Sequence, residues 1–304
     1  MALSEGVSRQ GALSYKESYA AIKAGRITIN GQPAVVDDFA RRADALALDG
    51  APLPPRQPVV YYLLYKPAGV LTSTEVGANA CPGELRKAEE GGTVLQFVPP
   101  APRVVPVGRL DLDSEGLILL TNHGSLVHMV TSPAYRLDKT YAVLVERFGR
   151  PGGAPPEPEA LQRLVDPGVV LQNGEVLTCL RAALRAEAPR SDAPPLAGRG
   201  GGGGGGGDGG GAARRLFWLE VVLDEGRNRH VRKLVQGLGY HVRRLVRTRV
   251  GPIEARATAE GAEGGWSLAR EVALRPGEWR ALRAEEVDAL LELHARRAPA
   301  PPGR

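Results

Sequence analysis

From Val59 onward the chain carries apolar, β-rich runs at Val59–Leu64, Gly116–Leu120, Thr140–Val145, Leu216–Leu223 and Tyr240–Val246. Runs this short and this rich in β-branched residues read as strands rather than helices, and together they predict a mixed sheet. Helical patterns lie between and after them, at Arg229–Leu238, which stops at Gly239, and at Ala284–Ala295. This larger portion of the chain is therefore predicted to be α+β.

The segment before Val59 reads as a separate small module, residues 1–50. Tyr15–Ala24 predicts a helix ended by Gly25; a strand follows at Arg26–Ile29 with an Asn30-Gly31 turn, and a second at Ala45–Leu48 ends in Asp49-Gly50. Four prolines make Ala51–Pro58 a stiff linker, which assigns 59–295 to the main domain. Two stretches inside that domain, 148–159 and 187–213, are so rich in Gly and Pro that ordering them would cost more than apolar burial returns. Both are predicted to be disordered insertions, and 296–304 a flexible tail.

The 304 residues carry a formal charge of +5, which suits a polyanionic partner without proving one. Its placement is more informative. Between Gly226 and Val250 stand Arg227, Arg229, Arg232, Lys233, Arg243, Arg244, Arg247 and Arg249 with no Asp or Glu among them, an electropositive focus in sequence. The two cysteines, Cys81 and Cys179, lie far apart without a Cys/His cluster, so neither a disulfide framework nor a metal site is indicated. No run of about 18 apolar residues predicts a membrane span.

The chemistry-bearing stretch is Val107-Gly108-Arg109-Leu110-Asp111-Leu112-Asp113-Ser114-Glu115-Gly116, a carboxylate-rich loop that enters the apolar strand Gly116–Leu120. A loop held by a rigid strand is a common seat of catalytic groups. Physics alone leaves an equal alternative, an acidic turn whose carboxylates cap backbone and face water.

The stretch "VGRLDLDSEGLILLTNHG" resembles the signature of the RsuA/RluB/RluE/RluF family of pseudouridine synthases. "YYLLYKPAGVLTS" at 61–73 and "LDEGRNRHVRKLVQGLGYHVRRLVRTRVGPI" at 223–253 match the same family in the same order. The resemblance implies a catalytic domain built on a mixed, mainly antiparallel sheet, preceded by an αL-type RNA-binding module like "AAIKAGRITINGQPA" at 20–34. The part expected before that motif is short and departs from the pattern, so the module reads as degenerate or truncated. Position by position, the resemblance implies Asp111 as the essential carboxylate, Tyr141 of Lys139-Thr140-Tyr141 beside it, and Arg232 as its ionic partner. Leu245 would pack against the base, and Lys66 of Lys66-Pro67-Ala68-Gly69 would shape a turn and touch a phosphate. Arg109, Lys139, Arg227, Arg229, Lys233, Arg243, Arg244 and Arg247 are the remaining RNA-binding candidates. Without the resemblance, Tyr141 is half-buried strand packing and the arginines a solvated helix face.

The implied activity is isomerisation of uridine to pseudouridine in ribosomal RNA or a pre-ribosomal particle, by a monomer that needs no metal or organic cofactor. Two alternatives compete: a non-catalytic RNA-binding assembly factor, and a hydrolase using Asp111 and Asp113, which would share a face if extended. The Gly- and Ala/Arg/Pro-rich inserts suggest a GC-rich nuclear gene serving a plastid or mitochondrial ribosome, with a bacterial cytoplasm as the alternative.

Overall fold

The computed structural model describes residues 2–74, 91–149, 153–189, 192, 215–255 and 266–297. Near the N-terminus, helices α1 (Leu3–Ser8) and α2 (Tyr15–Lys23) pack on a small antiparallel sheet of β1 (Ile27–Ile29), β2 (Gln32–Pro33), β3 (Leu46–Leu48) and β4 (Ala51–Pro52), in the order β2-β1-β3-β4. Ser14 caps α2 with a complete capping box: its hydroxyl accepts from Glu17 N, and the Glu17 carboxylate accepts from Ser14 N. The β1–β2 and β3–β4 turns are Asn30-Gly31 and Asp49-Gly50, and all four residues have positive φ, the mirror-image turn that suits a twisted hairpin. Leu3, Val7, Ile22, Ile27 and Leu46 close a core belonging to this segment alone. β4 uses the first two residues of the stretch expected to be linker, because Ala51 and Pro52 pair with Leu48 and Ala47.

The main sheet has nine strands among the described residues. They are β5 (Tyr61–Lys66), β6 (Val105–Val107), β7 (Glu115–Thr121), β8 (Lys139–Arg147), β11 (Arg181–Glu187), β12 (Phe217–Leu223), β13 (Tyr240–Val250), β14 (Ile253–Glu254) and β15 (Trp279–Ala281). The order along the sheet is β11-β12-β8-β13-β7-β5-β15, with β6 on β7 and β14 on β13. A separate hairpin joins β9 (Val169–Val170) and β10 (Val176–Leu177). These strands pair antiparallel except β13 with β7, which run parallel at Val246–Glu115 and Arg247–Gly116.

Both faces are covered, which explains why the strands read as near-continuous apolar runs. Leu64, Ile118, Tyr141, Val143, Leu219 and Leu245 point into one core, and Leu63, Leu117, Leu119, Leu144, Trp218 and Val246 into the other. The first face is roofed by α4 (Pro158–Gln162) and by Val231, Leu234 and Val235 of α5 (His230–Gly237). The second is covered by α3 (Gly124–Thr131), through Leu126, Met129 and Val130, and by Leu290 of α7 (Ala284–Arg297); a short α6 (Leu268–Glu271) lies between. No helix among the described residues is long and apolar enough to cross a membrane.

Several expectations change. Of 148–159, the described Gly153–Glu159 is placed: Pro156 is buried, Pro158 opens α4, and Ala154 O accepts from the Tyr240 hydroxyl at 2.9 Å. The glycine run of 187–213 lies outside the described residues, but its flanks are ordered as the β11–β12 hairpin, where Arg215 forks onto Glu187 at 2.8 and 2.7 Å. β11 escapes sequence reading because Arg181–Glu187 has a helix-former composition; tertiary pairing with β12 overrides it. The C-terminal helix runs through Arg297, into the expected tail.

Gly116 marks the tightest approach in the sheet. With φ +104°, it sits where a Cβ would lie 2.3 Å from Arg247 O and 2.6 Å from Arg247 N. Gly116→Ala is expected to force β7 and β13 apart and cost about 3 kcal/mol or more, read as a lower denaturant midpoint with an unchanged slope. An unchanged midpoint would show that the sheet absorbs the side chain.

Candidate active site

The loop 108–114 reaches the sheet through β7 and is braced from beneath by Lys66, at the end of β5. Lys66 is fully buried, and its Nζ donates to Pro67 O at 2.8 Å, Leu112 O at 3.3 Å and Ser114 O at 2.7 Å. Three carbonyls use all three ammonium protons, so two turns of chain converge on one cation. Burial pulls the Lys66 pKa down to about 8, against the opposing charges of Glu115, Asp113 and Asp111. The expected phosphate contact of Lys66 is thus corrected: no face of it reaches solvent. Thr72 adds a second brace, donating from Oγ1 to Leu110 O at 3.0 Å and accepting from Leu110 N at 3.2 Å.

Held this way, Asp111 lines a cleft of about 300 Å³ together with Arg109, Tyr141, Leu245, Arg229 and His230. The sheet register explains the meeting. Tyr141 lies opposite Arg247 on β13, Leu245 lies opposite Val143, and Gly116 also pairs with Arg247, so the loop before β7 overhangs both side chains. Tyr141 and Leu245 are 8% and 4% exposed, forming a floor that is apolar apart from the phenol hydroxyl, while Asp111 stays partly open. A volume of this size admits one small planar group.

Arg232 lies behind this loop rather than among the lining residues. Its guanidinium meets Asp113, at 3.2 Å to Oδ1 and 3.0 Å to the carbonyl, and Ser114 Oγ at 3.4 Å. The charge of Asp111 also acts on it, although the larger favourable charge is that of Asp113, and burial pushes its pKa down. The expected pairing with Asp111 is therefore shared with, and led by, Asp113.

The other basic candidates divide by burial. Arg247 is 3% exposed and donates from Nε to Leu117 O at 2.8 Å and from Nη1 to Arg109 O at 3.5 Å. Arg244 forks onto Glu115 at 2.8 and 2.8 Å and reaches the Tyr65 hydroxyl at 3.3 Å. Arg243, re-aimed by a bulge between Val242 and Arg244, meets Glu146 at 2.5 Å. Lys139 donates to Leu137 O at 2.8 Å. All four tie strands and turns together, but only Arg247 is buried, so its assignment to an RNA phosphate is corrected; Arg244, Arg243 and Lys139 keep part of their side chains at the surface. Arg109, Arg227 and Arg229 line the cleft and stay exposed, and Lys233 is half-buried on α5, although Arg227 meets Glu175 at 2.6 Å and Glu225 at 2.9 Å.

Sequence reading passed over Ser114, Glu115, Thr72 and His230, all close to the site. Only Glu115 carried a signal, its place beside the Gly that starts the strand. His230, the first residue of α5, is buried in the cleft wall, and burial lowers its pKa. No group of three or more His, Cys, Asp or Glu side chains fit to hold a metal occurs among the described residues.

Lys66 titrates near 8 when folded against an ordinary 10.5, so the folded protein sheds this proton first. Unfolded chains then bind more protons between those two values, and stability rises with pH across that window relative to a variant without the group. Unfolding midpoints of the unaltered protein and Lys66→Met, compared from neutral pH upward, are expected to shift in favour of the unaltered protein from about pH 8. A difference that does not change with pH would mean the lysine is not desolvated. Lys66→Met itself, by orphaning three carbonyls, is expected to cost about 3 kcal/mol.

Comparison with known proteins places the chain in a family. The RNA pseudouridylate synthase family profile matches residues 60–236. The dual-specificity RNA pseudouridine synthase RluF of Escherichia coli K12 is 28% identical over 293 residues, covering 96% of this chain and 78% of that protein. The ribosomal large subunit pseudouridine synthase B of Bacillus subtilis is 28% identical over 286 residues, covering 93% and 95%. A solved pseudouridylate synthase shares the fold with a TM-score of 0.50 at 21% identity, over 95% of this chain and 99% of that one. The chain belongs to the RNA pseudouridylate synthases, and within them to the RsuA/RluB/RluE/RluF family.

Proposed function

We propose that the protein isomerises uridine to pseudouridine in ribosomal RNA, with Asp111, Tyr141 and Leu245 acting on one flipped nucleotide. The observation that carries this reading is their convergence in one cleft from a loop and two neighbouring strands. Leu245 and the Tyr141 ring form the floor against which one face of the extruded uracil lies, the base's faces being apolar and its edge polar. Asp111 faces the sugar: the N1–C1′ bond breaks, the base turns, C5–C1′ forms, C5 gives up its proton to a group such as the Tyr141 hydroxyl, and N1 takes up one proton in exchange. Reactant and product are isomers, so the balance needs no redox partner or cofactor. Arg232, held behind the loop, places a fixed positive charge beside its carboxylates.

The reading extends to the substrate's backbone and to the setting. Arg109, Arg227, Arg229 and Lys233 at the rim take phosphates beside the flipped nucleotide. The N-terminal segment binds a second RNA stretch, supported by a hollow lined by Arg9, Arg41, Arg42 and Arg56 beside Phe39, which is 73% exposed. The protein acts as a monomer on a ribosomal particle, and the composition of its inserts favours a plastid or mitochondrial ribosome over a bacterial cytoplasm.

The test compares the purified protein with Asp111→Asn on unmodified small- and large-subunit ribosomal RNA, mapping pseudouridine by carbodiimide-dependent primer-extension stops. The unaltered protein is expected to leave one new stop and the variant none, a loss on the order of a thousandfold or more. If both bind RNA and neither leaves a stop, even on partly assembled particles, the assembly-factor reading replaces this one.

A further inference from the structure

Asp113, two residues beyond Asp111 and outside the cleft lining, binds two arginines at once. Arg229 forks onto it, Nη1 to Oδ1 at 3.3 Å and Nη2 to Oδ2 at 3.1 Å, while Arg232 Nη2 approaches Oδ1 at 3.2 Å. The side chains of Asp113 and Arg229 are 49% and 44% exposed, that of Arg232 only 14%. Two cations therefore share one anion at the rim, and the exposed half of the arrangement is Asp113–Arg229. Arg229 also stands at the start of α5 with φ 52° and ψ 33°, a left-handed conformation that side chains other than Gly, Asn and Asp seldom adopt, and it makes no side-chain cap to the helix. Arg229 therefore spends its side chain on Asp113 and on the cleft lining rather than on capping the helix.

A planar fork that fits a carboxylate fits a phosphate equally well. We propose that Asp113 is an internal stand-in for an RNA backbone phosphate: it holds Arg229 in place in the free protein and yields it to the phosphate flanking the flipped nucleotide, while the buried Arg232 stays on the loop. The inference rests on RNA as the substrate. An exposed ion pair of this kind is weak, so a polyanionic ligand can displace it, and it still sets how tightly the free enzyme competes with that ligand.

The sign of one variant decides. Loss of the negative charge in Asp113→Asn removes the competitor while leaving an amide oxygen to orient Arg229. Binding to unmodified ribosomal RNA transcripts, followed by fluorescence anisotropy across a KCl series, is expected to become about two- to fivefold tighter at low salt. The plot of log affinity against log salt should steepen by roughly 0.7, the increment for one more neutralised phosphate of a single strand. Asp113→Ala is expected to move in the same direction. In an Arg229→Ala background the gain should vanish; a gain that persists there would be general charge removal and would overturn the exchange. Weaker or unchanged binding in both Asp113 variants would make Asp113 a scaffold for Arg229 and end the proposal. Pseudouridine formation, scored in parallel on the same transcripts, judges the isomerase reading separately: binding that tightens without any pseudouridine would keep the exchange and discard the reaction.

Discussion

Where Gly116 passes Arg247, the two backbones come closer than any side chain permits, and the position of the whole site follows from that approach. The parallel pairing it allows is an exception in a sheet whose other paired strands run antiparallel. Because β13 is also the antiparallel neighbour of β8, one residue of β13, Arg247, registers Gly116 on one side and Tyr141 on the other. The loop preceding Gly116 has no freedom to choose which side chains it overhangs. Arg247 secures the junction from its side chain as well, through Leu117 O and Arg109 O. Buried guanidinium and ammonium groups cost desolvation, and they persist here because each meets several fixed oxygens.

The same economy applies one layer out. Glu115 receives the fork of Arg244 and the hydroxyl of Tyr65, so β5, β7 and β13 are cross-linked beside the loop by a single carboxylate. Burial and the adjacent Glu115 charge hold the Tyr65 hydroxyl protonated, and the fork holds Arg244 charged. Lys66 does for the loop's carbonyls what Glu115 does for the strands. Rigid support of this kind is what a site needs if its carboxylate is to meet a sugar carbon at a fixed distance.

The sequence made the strands legible because burial on both faces leaves few polar interruptions, and it made the two Asx-Gly turns legible because few residues accept positive φ. The convergence of Asp111, Tyr141 and Leu245 was legible only through the family resemblance, since they are far apart in the chain and no local pattern states a sheet register. The charges misled. Residues 226–250 contain no acid, yet Arg227, Arg229, Arg243 and Arg244 meet Glu175, Asp113, Glu146 and Glu115, each from another segment. Counting charge along a chain cannot see partners supplied across a sheet. Lys66 was misread for a related reason: a lysine in a turn is usually solvated, and only the fold reveals three carbonyls around it.

That neutralisation bears on how a net charge of +5 reaches an RNA. If every arginine of 226–250 faced solvent, attraction would be strong and indiscriminate, because phosphate contacts are read without regard to base. With the buried and cross-strand arginines occupied internally, the field left at the mouth comes from a few side chains around one cleft. The long-range attraction is reduced, while the groups that remain stand in fixed positions about Asp111. On the proposed reading, a site arranged this way trades affinity for register: a few well-placed cations would align the substrate backbone, and the choice of nucleotide would fall to the shape of the cleft and to the energy of unstacking the base.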